Sequence, residues 1–204
     1  MRTFALLNLS ALATSHLLLP IFGLTRPATE VALLDLAFRL SFLVFLPFQI
    51  INSVSSPIVI QLWTNRDVKL LQRIYNISRA ISFLSGALAI VLLLLVAPAL
   101  CTILELKDCA LFRNVLFILC VGQLAYAACG PVAWLLYAAG HENVAIRIQL
   151  YALLFMVTLT PITTTLWGAT GAAFTSTLAL WAWRLSLARA ARRVMCSQTD
   201  PQAR

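Results

Sequence analysis

Residues 81–104 read ISFLSGALAIVLLLLVAPALCTIL, 24 positions without one charged side chain. A helix rises 1.5 Å per residue, so about 20 apolar residues cross a hydrocarbon core of about 30 Å. This stretch reads as a membrane-spanning helix, and it sets the solvent against which the rest of the chain is read. The 204 residues are 61% hydrophobic and 11% charged, with a mean hydropathy of +0.91. An average soluble domain is about half apolar and roughly a quarter charged. Five or six runs of near-spanning length cannot all be buried inside a core of this size, so most of them must face lipid.

Before this run lies a hydrophilic connector, Thr64–Arg79, TNRDVKLLQRIYNISR. Its Leu70, Leu71, Ile74 and Ile77 alternate with Lys69, Arg73 and Arg79, which predicts a short amphipathic interfacial helix over about 66–78. Further upstream, Leu33–Trp63 reads LLDLAFRLSFLVFLPFQIINSVSSPIVIQLW. Here Gln49, Asn52, Ser53 and Ser56 fall at i, i+3, i+4 and i+7, a polar stripe two turns long at membrane depth. Such a stripe is costly against lipid and should face other helices or a water-filled cavity. Pro47 predicts a kink and Pro57 a helix end. The first apolar segment, Thr3–Leu24, outruns a signal-peptide core and carries Asn8, Ser15 and His16.

Downstream, a fourth span over about 111–139 should break at Gly130-Pro131, with Gln123, Tyr126, Gly130, Trp134 and Tyr137 on one face. The turn AAGHEN leads to a fifth span, 144–166, and a tight loop at Trp167-Gly168 opens a sixth, ending near Leu187. Gly168, Gly171, Ala172, Thr175 and Ala179 give the sixth span a small-residue surface for close packing. The expected fold is all-α: a polytopic membrane protein with about six transmembrane helices over residues 1–193 and a basic, polar tail over 194–204. The basic residues choose an orientation. Eleven of the 15 lie on the face holding both termini and four on the other, giving net charges of +8 and 0, so both termini are expected in the cytoplasm. The same distribution argues against nucleic acid, since no basic groove is interleaved with stacking aromatics.

Signatures of enzyme chemistry are missing from the sequence. It has no Gly-rich phosphate loop, HExxH, GxSxG or paired intramembrane carboxylates, so no catalytic residue, metal or cofactor is expected. The five cysteines read mainly as small buried hydrophobes, and only Cys101 and Cys109, flanking one loop, are placed to pair. Asn8-Leu9-Ser10 and Asn76-Ile77-Ser78 match a glycosylation pattern, but on a span and on the cytoplasmic face. Arg39, four residues after Asp35, reads either as half of an i,i+4 ion pair snorkelling to the outer interface or as a cationic contact for an anionic substrate. His16 reads as a packing or cavity residue or as a proton-coupling one.

In its order of features the chain resembles the C-terminal half of bacterial polysaccharide-lipid flippases of the O-antigen type, within the multidrug/oligosaccharidyl-lipid/polysaccharide exporter superfamily. The resemblance rests on residues 33–63, on NRDVKLLQRIYNISRA before the long apolar helix ending in AP, on GPVAWLLYAAGHENVAIRIQL, and on PITTTLWGATGAAFTSTLALW. It implies one six-helix lobe of a two-lobe bundle in the bacterial inner membrane. Such a bundle moves an undecaprenyl-diphosphate-linked oligosaccharide outward by alternating access, in surface polysaccharide (lipopolysaccharide) biosynthesis. On this resemblance the first two segments line the substrate cavity. Arg39, Gln49, Asn52 and Ser53 then contact sugar or diphosphate, with Asn8 and His16 beside them. Its partners would be the lipid bilayer, the lipid-linked oligosaccharide and a second lobe. The second lobe would come from another copy or another chain, unless the chain is a truncated remnant. Two other readings stay open: a drug/cation antiporter lobe, disfavoured by the lack of intramembrane carboxylates, and a non-transporting subunit that stabilises a glycosyltransferase or polymerase.

Overall fold

The computed structural model describes residues 18–24, 26–65, 67–106, 108–130 and 132–199, and these form helices α1 (Leu18–Gly23), α2 (Ala28–Thr64), α3 (Val68–Ile103), α4 (Cys109–Cys129), α5 (Val132–Ala138) and α6 (Glu142–Thr199). Among the described residues four helices are long and apolar enough to cross a membrane: Ala28–Thr64, Lys69–Ile103, Cys109–Cys129 and Glu142–Val194. That count differs from the six expected. Most of the expected first span, including Asn8 and His16, lies outside the described residues. The last helical stretch turns back on itself at Gly168, where φ is 58° and ψ is −138°.

The doubling back is visible in side-chain contacts. Thr163 and Thr175, twelve residues apart, share a hydroxyl hydrogen bond of 2.7 Å, a distance a straight helix could not close. The first arm of α6 (142–167) and the second (169–199) are therefore antiparallel neighbours. Two features make the turn. Gly168 takes a left-handed φ that a side chain would strain. Gly171 lets the arms meet, since a Cβ there would sit 2.2 Å from the Thr163 carbonyl oxygen. Arg26 closes the turn from outside, donating through Nη2 to the Thr164 carbonyl at 2.8 Å and the Thr165 carbonyl at 3.3 Å, the exposed acceptors of a helix C-terminus.

The other connections follow local chemistry. Asp67 caps α3, its Oδ1 accepting from Leu70 N–H at 3.2 Å. Residues 68–79 are the first turns of α3 and run without a break into the apolar stretch. Gly130 (φ 70°) breaks α4 from α5 as its sequence predicts, and the Tyr75 hydroxyl donates to the Cys129 carbonyl left at the break. Pro57 does not end its helix: α2 continues to Thr64. A proline removes the N–H that would bond the carbonyl four residues earlier. Here that carbonyl, Ser53 O, accepts the Ser56 hydroxyl at 3.3 Å, so the helix carries on without an unsatisfied group.

Cys101 and Cys109 are bonded across the α3–α4 turn, with Cα atoms 5.6 Å apart, whereas Cys120 and Cys129 are free and buried. This turn, the start of α2 and the Gly168 turn lie at one end of the bundle, called here the disulfide end. Two apolar clusters fill the interior. One, toward the disulfide end, includes Phe22, Leu34, Val44, Phe112, Leu116 and Ala172. The other, toward the Gly130 end, includes Val59, Leu71, Leu135, Leu136, Ala145 and Leu187. The outer face of α3 stays apolar and exposed through Leu84, Leu88, Val91 and Leu95. Its most apolar window is only 28% buried, which suits a lipid solvent and not water.

Gly171→Ala places a methyl against backbone that cannot move aside. We expect it to cost about 3 kcal/mol, the upper end of overpacking effects, read as a lower unfolding temperature of the detergent-solubilised protein, with Phe174→Ala on the exposed face as a near-neutral control.

Candidate functional site

The predicted contact residues divide between two faces of α2. Arg39 is exposed over 76% of its side chain, and its Nε donates to Asp35 Oδ2 at 2.9 Å, so the i,i+4 ion pair is formed. With Gly23, Arg26, Val31 and Asp35 it lines an open cleft of about 550 Å³ at the disulfide end. Gln49 and Ser53 are exposed, and at 3.6 residues per turn they fall with Arg39 inside about a quarter of the helix circumference. Ser53 bonds back to the Ile50 carbonyl at 2.7 Å. Asn52 is half-buried and Ser56 buried. The polar stripe thus straddles the edge of the bundle, half of it facing out beside Leu46, Ile50 and Val54.

A second constellation was not foreseen. Arg184, grouped by sequence with the charges of the cytoplasmic face, is inside the bundle and only 6% exposed. It leaves the second arm of α6 sixteen residues after Gly168, about 24 Å along the helix at 1.5 Å per residue, short of the ~30 Å that clears a hydrocarbon core. Its guanidinium carbon stands 3.8 Å from the centre of the Tyr126 ring, 4.9 Å from Trp183 and 5.5 Å from Phe48. Those rings are held by one another. Tyr126 meets Phe45 edge-on at 4.5 Å, Phe48 at 5.7 Å and Trp183 at 5.9 Å with an 88° interplanar angle. On α2 and α4 the cage residues fall between the last members of one apolar cluster and the first of the other, and on α6 Trp183 packs against the second, so the cationic layer lies where the two clusters meet.

Magnitudes say how well this charge is kept. Burying a guanidinium costs several kcal/mol after relaxation. A desolvated cation–π contact returns about 2 kcal/mol, so three rings roughly offset the burial. The Tyr126 hydroxyl also accepts a hydrogen bond from the guanidinium, but Arg184 Nε is left without a partner. Among the described residues no carboxylate pairs with Arg184, and the buried side-chain polar atoms without a hydrogen-bond partner are Asn52 Oδ1, Gln149 Nε2, Trp183 Nε1 and Arg184 Nε. Asn52 is one turn beyond Phe48, and Gln149 lies on the first arm of α6 next to Ile148, which faces Trp183 across a groove. Arg184 and Trp183 are neighbours on the second arm, about 24 Å from the Gly168 turn, and Gln149 lies on the first arm about 28 Å from it. A sequence signal for the site exists in WAWRLS: an arginine among tryptophans, too few residues past Gly168 to reach water.

No group of three His, Cys, Asp or Glu side chains able to hold a metal comes together among the described residues. No protein-family model, curated protein or solved structure matches the chain.

Removing the closest ring should expose the cost of the charge. We expect Tyr126→Leu to destabilise the protein by about 2 kcal/mol or more, and Arg184→Leu added to it to recover much of that loss, because a buried unpaired charge is worse than an apolar replacement. Thermal unfolding of the two single variants and the double variant gives the coupling energy directly.

Proposed function

We propose that this chain is one six-helix lobe of a transporter-type flippase. It would move a lipid-linked (undecaprenyl-diphosphate) oligosaccharide across a bacterial inner membrane by alternating access against a second lobe. The observation that carries the reading is the outward face of α2, where Arg39, Gln49 and Ser53 stand exposed along an otherwise apolar surface. Polar groups at that depth are disfavoured by lipid and favoured by a wet cavity shared with another lobe. In such a cavity the Gln49 amide and Ser53 hydroxyl are donors and acceptors for sugar hydroxyls. Arg39 can exchange its Asp35 partner for a diphosphate, to which a guanidinium binds through two parallel N–H groups. The second lobe would be another copy or another chain.

Six spans follow if the first segment, 3–24, crosses the membrane and each arm of α6 crosses once, with α2, α3 and the α4–α5 pair making the rest. Two independent features support both termini in the cytoplasm. The basic residues favour that face even with Arg184 set aside in the bundle interior. The Cys101–Cys109 bond lies at the opposite end, where an oxidising periplasm would keep it formed.

The test is export in a strain whose surface polysaccharide depends on this chain. Arg39→Ala, and Gln49→Ala with Ser53→Ala, are expected to lower surface delivery of the lipid-linked sugar by about tenfold, the scale of one lost charge-assisted hydrogen bond, at unchanged protein level. Undiminished export in both would overturn the reading. Orientation is checked separately. In intact spheroplasts, a membrane-impermeant maleimide should label Cys101 and Cys109 only after reduction, and a green fluorescent protein fused to the C-terminus should fluoresce.

A further inference from the structure

The Arg184 layer lies inside one lobe, apart from the outward face of α2 on which transport is proposed, and it has chemistry of its own. We propose that Arg184 and its neighbours form a binding site for a phosphate group, carried on a lipid headgroup or free. Three lines converge on that ligand. The site holds a formal positive charge, 6% exposed, that no carboxylate among the described residues pairs with. Three of its four unsatisfied polar atoms, Arg184 Nε, Trp183 Nε1 and Gln149 Nε2, are N–H donors, and they reach from both arms of α6. A phosphate answers this set because it is anionic and offers several acceptor oxygens in different directions, where a halide offers one centre and a carboxylate two coplanar oxygens. The fourth atom, Asn52 Oδ1, is an acceptor and suits a hydroxyl on the phosphate or its carrier.

Access and depth fit a phosphate attached to an acyl chain. A groove of about 240 Å³ runs between the two arms, lined by Ile148, Tyr151, Ala152, Phe155, Trp183 and Ser186. Tyr151 and Phe155 are exposed beside it, so its mouth opens sideways on the apolar surface. Trp183 belongs to both the groove and the Arg184 cage and stands between them. Arg184 lies about 24 Å from the Gly168 turn, within a helical turn or so of the ~30 Å depth at which the hydrocarbon core gives way to lipid phosphates. A lipid could keep its tail in the groove while its phosphate moves inward past the indole.

This inference needs the membrane placement that the transport reading also needs, but it does not need transport. Export can fail while phosphate binding stands, and the reverse. The full chain is reconstituted in nanodiscs of phosphatidylcholine alone, of phosphatidylcholine doped with phosphatidic acid, and of phosphatidylcholine alone with added inorganic phosphate. Thermal unfolding and tryptophan emission are read in each. We expect phosphatidic acid to raise the unfolding temperature of the wild type and change its emission. Arg184→Gln should bind at least about tenfold more weakly, the scale of one charge-assisted hydrogen bond to the ligand, Arg184→Lys should bind at an intermediate level, and Arg192→Gln with Arg193→Gln on the exposed surface should respond like the wild type. A response to inorganic phosphate of the same size assigns the site to the free anion; a response confined to phosphatidic acid assigns it to the lipid. An undiminished response in Arg184→Gln, or no wild-type response in either arm, overturns the proposal. Should Arg184→Gln not reconstitute, Trp183→Phe takes its place: it keeps the ring and deletes the N–H, and it is expected to weaken binding without loss of the fold.

Discussion

A hydroxyl, amide or guanidinium inside a bundle of apolar helices has to find its partners in the protein, because lipid supplies none and an unmet group costs several kcal/mol. That constraint orders this molecule more than apolar packing does, since the outward surfaces are as apolar as the inward ones and gain little from choosing a side. Helix-to-helix contacts accordingly run through small polar groups. Ser55 and Ser78 share a hydrogen bond of 2.9 Å between α2 and α3. Thr177 donates to the Ile118 carbonyl at 2.9 Å and Trp181 Nε1 to the Val121 carbonyl at 3.0 Å, tying the second arm of α6 to α4. Thr163 and Thr175 join the two arms, and exposed hydroxyls fold back on their own helix's carbonyls, as Thr158 and Thr165 do.

The same constraint explains which parts of the fold were legible in the sequence. Hydropathy located the apolar helices, and glycine chemistry located the turns at Gly130 and Gly168, because both signals are local. The small face of the sixth segment was also readable: Gly171, Ala172, Thr175 and Ala179 are all buried. Pro57 was misread because a local rule met a non-local solvent. In water the freed Ser53 carbonyl would be hydrated and the helix would stop. Inside this bundle a neighbouring hydroxyl bonds it, and stopping would only expose more backbone. The cysteines were legible by position: Cys101 and Cys109, the one pair flanking a loop, are bonded with Cα atoms 5.6 Å apart, and Cys120 and Cys129 are small buried side chains.

The candidate site was less legible, and the reason lies in register. A polar stripe marks one side of a helix but not where the bundle's edge cuts it, and that edge runs between Ser53 and Asn52. The ion-pair reading of Arg39 was legible because it follows from i,i+4 spacing with Asp35, and that pair is formed. Arg184 escaped because charge counting assigns every arginine near a span's end to the loop beyond it. Only the distance from Gly168, counted from a turn that the sequence itself marks, shows that this arginine stops short of water.

Asn52 connects the two constellations. It belongs to the polar stripe whose other half, Gln49 and Ser53, looks outward, and it stands one helical turn beyond Phe48 of the Arg184 cage. Between Phe45 and Phe48, both in contact with Tyr126, stands Pro47, which deprives α2 of one backbone hydrogen bond where it carries the cage. A missing bond in that helix's ladder thus falls at the level of the cage. Bending α2 there cannot move Gln49 and Ser53 without shifting the Phe48 ring against the guanidinium. Phe48 thus ties the outward-facing turn of α2 to the Arg184 cage across one helical turn.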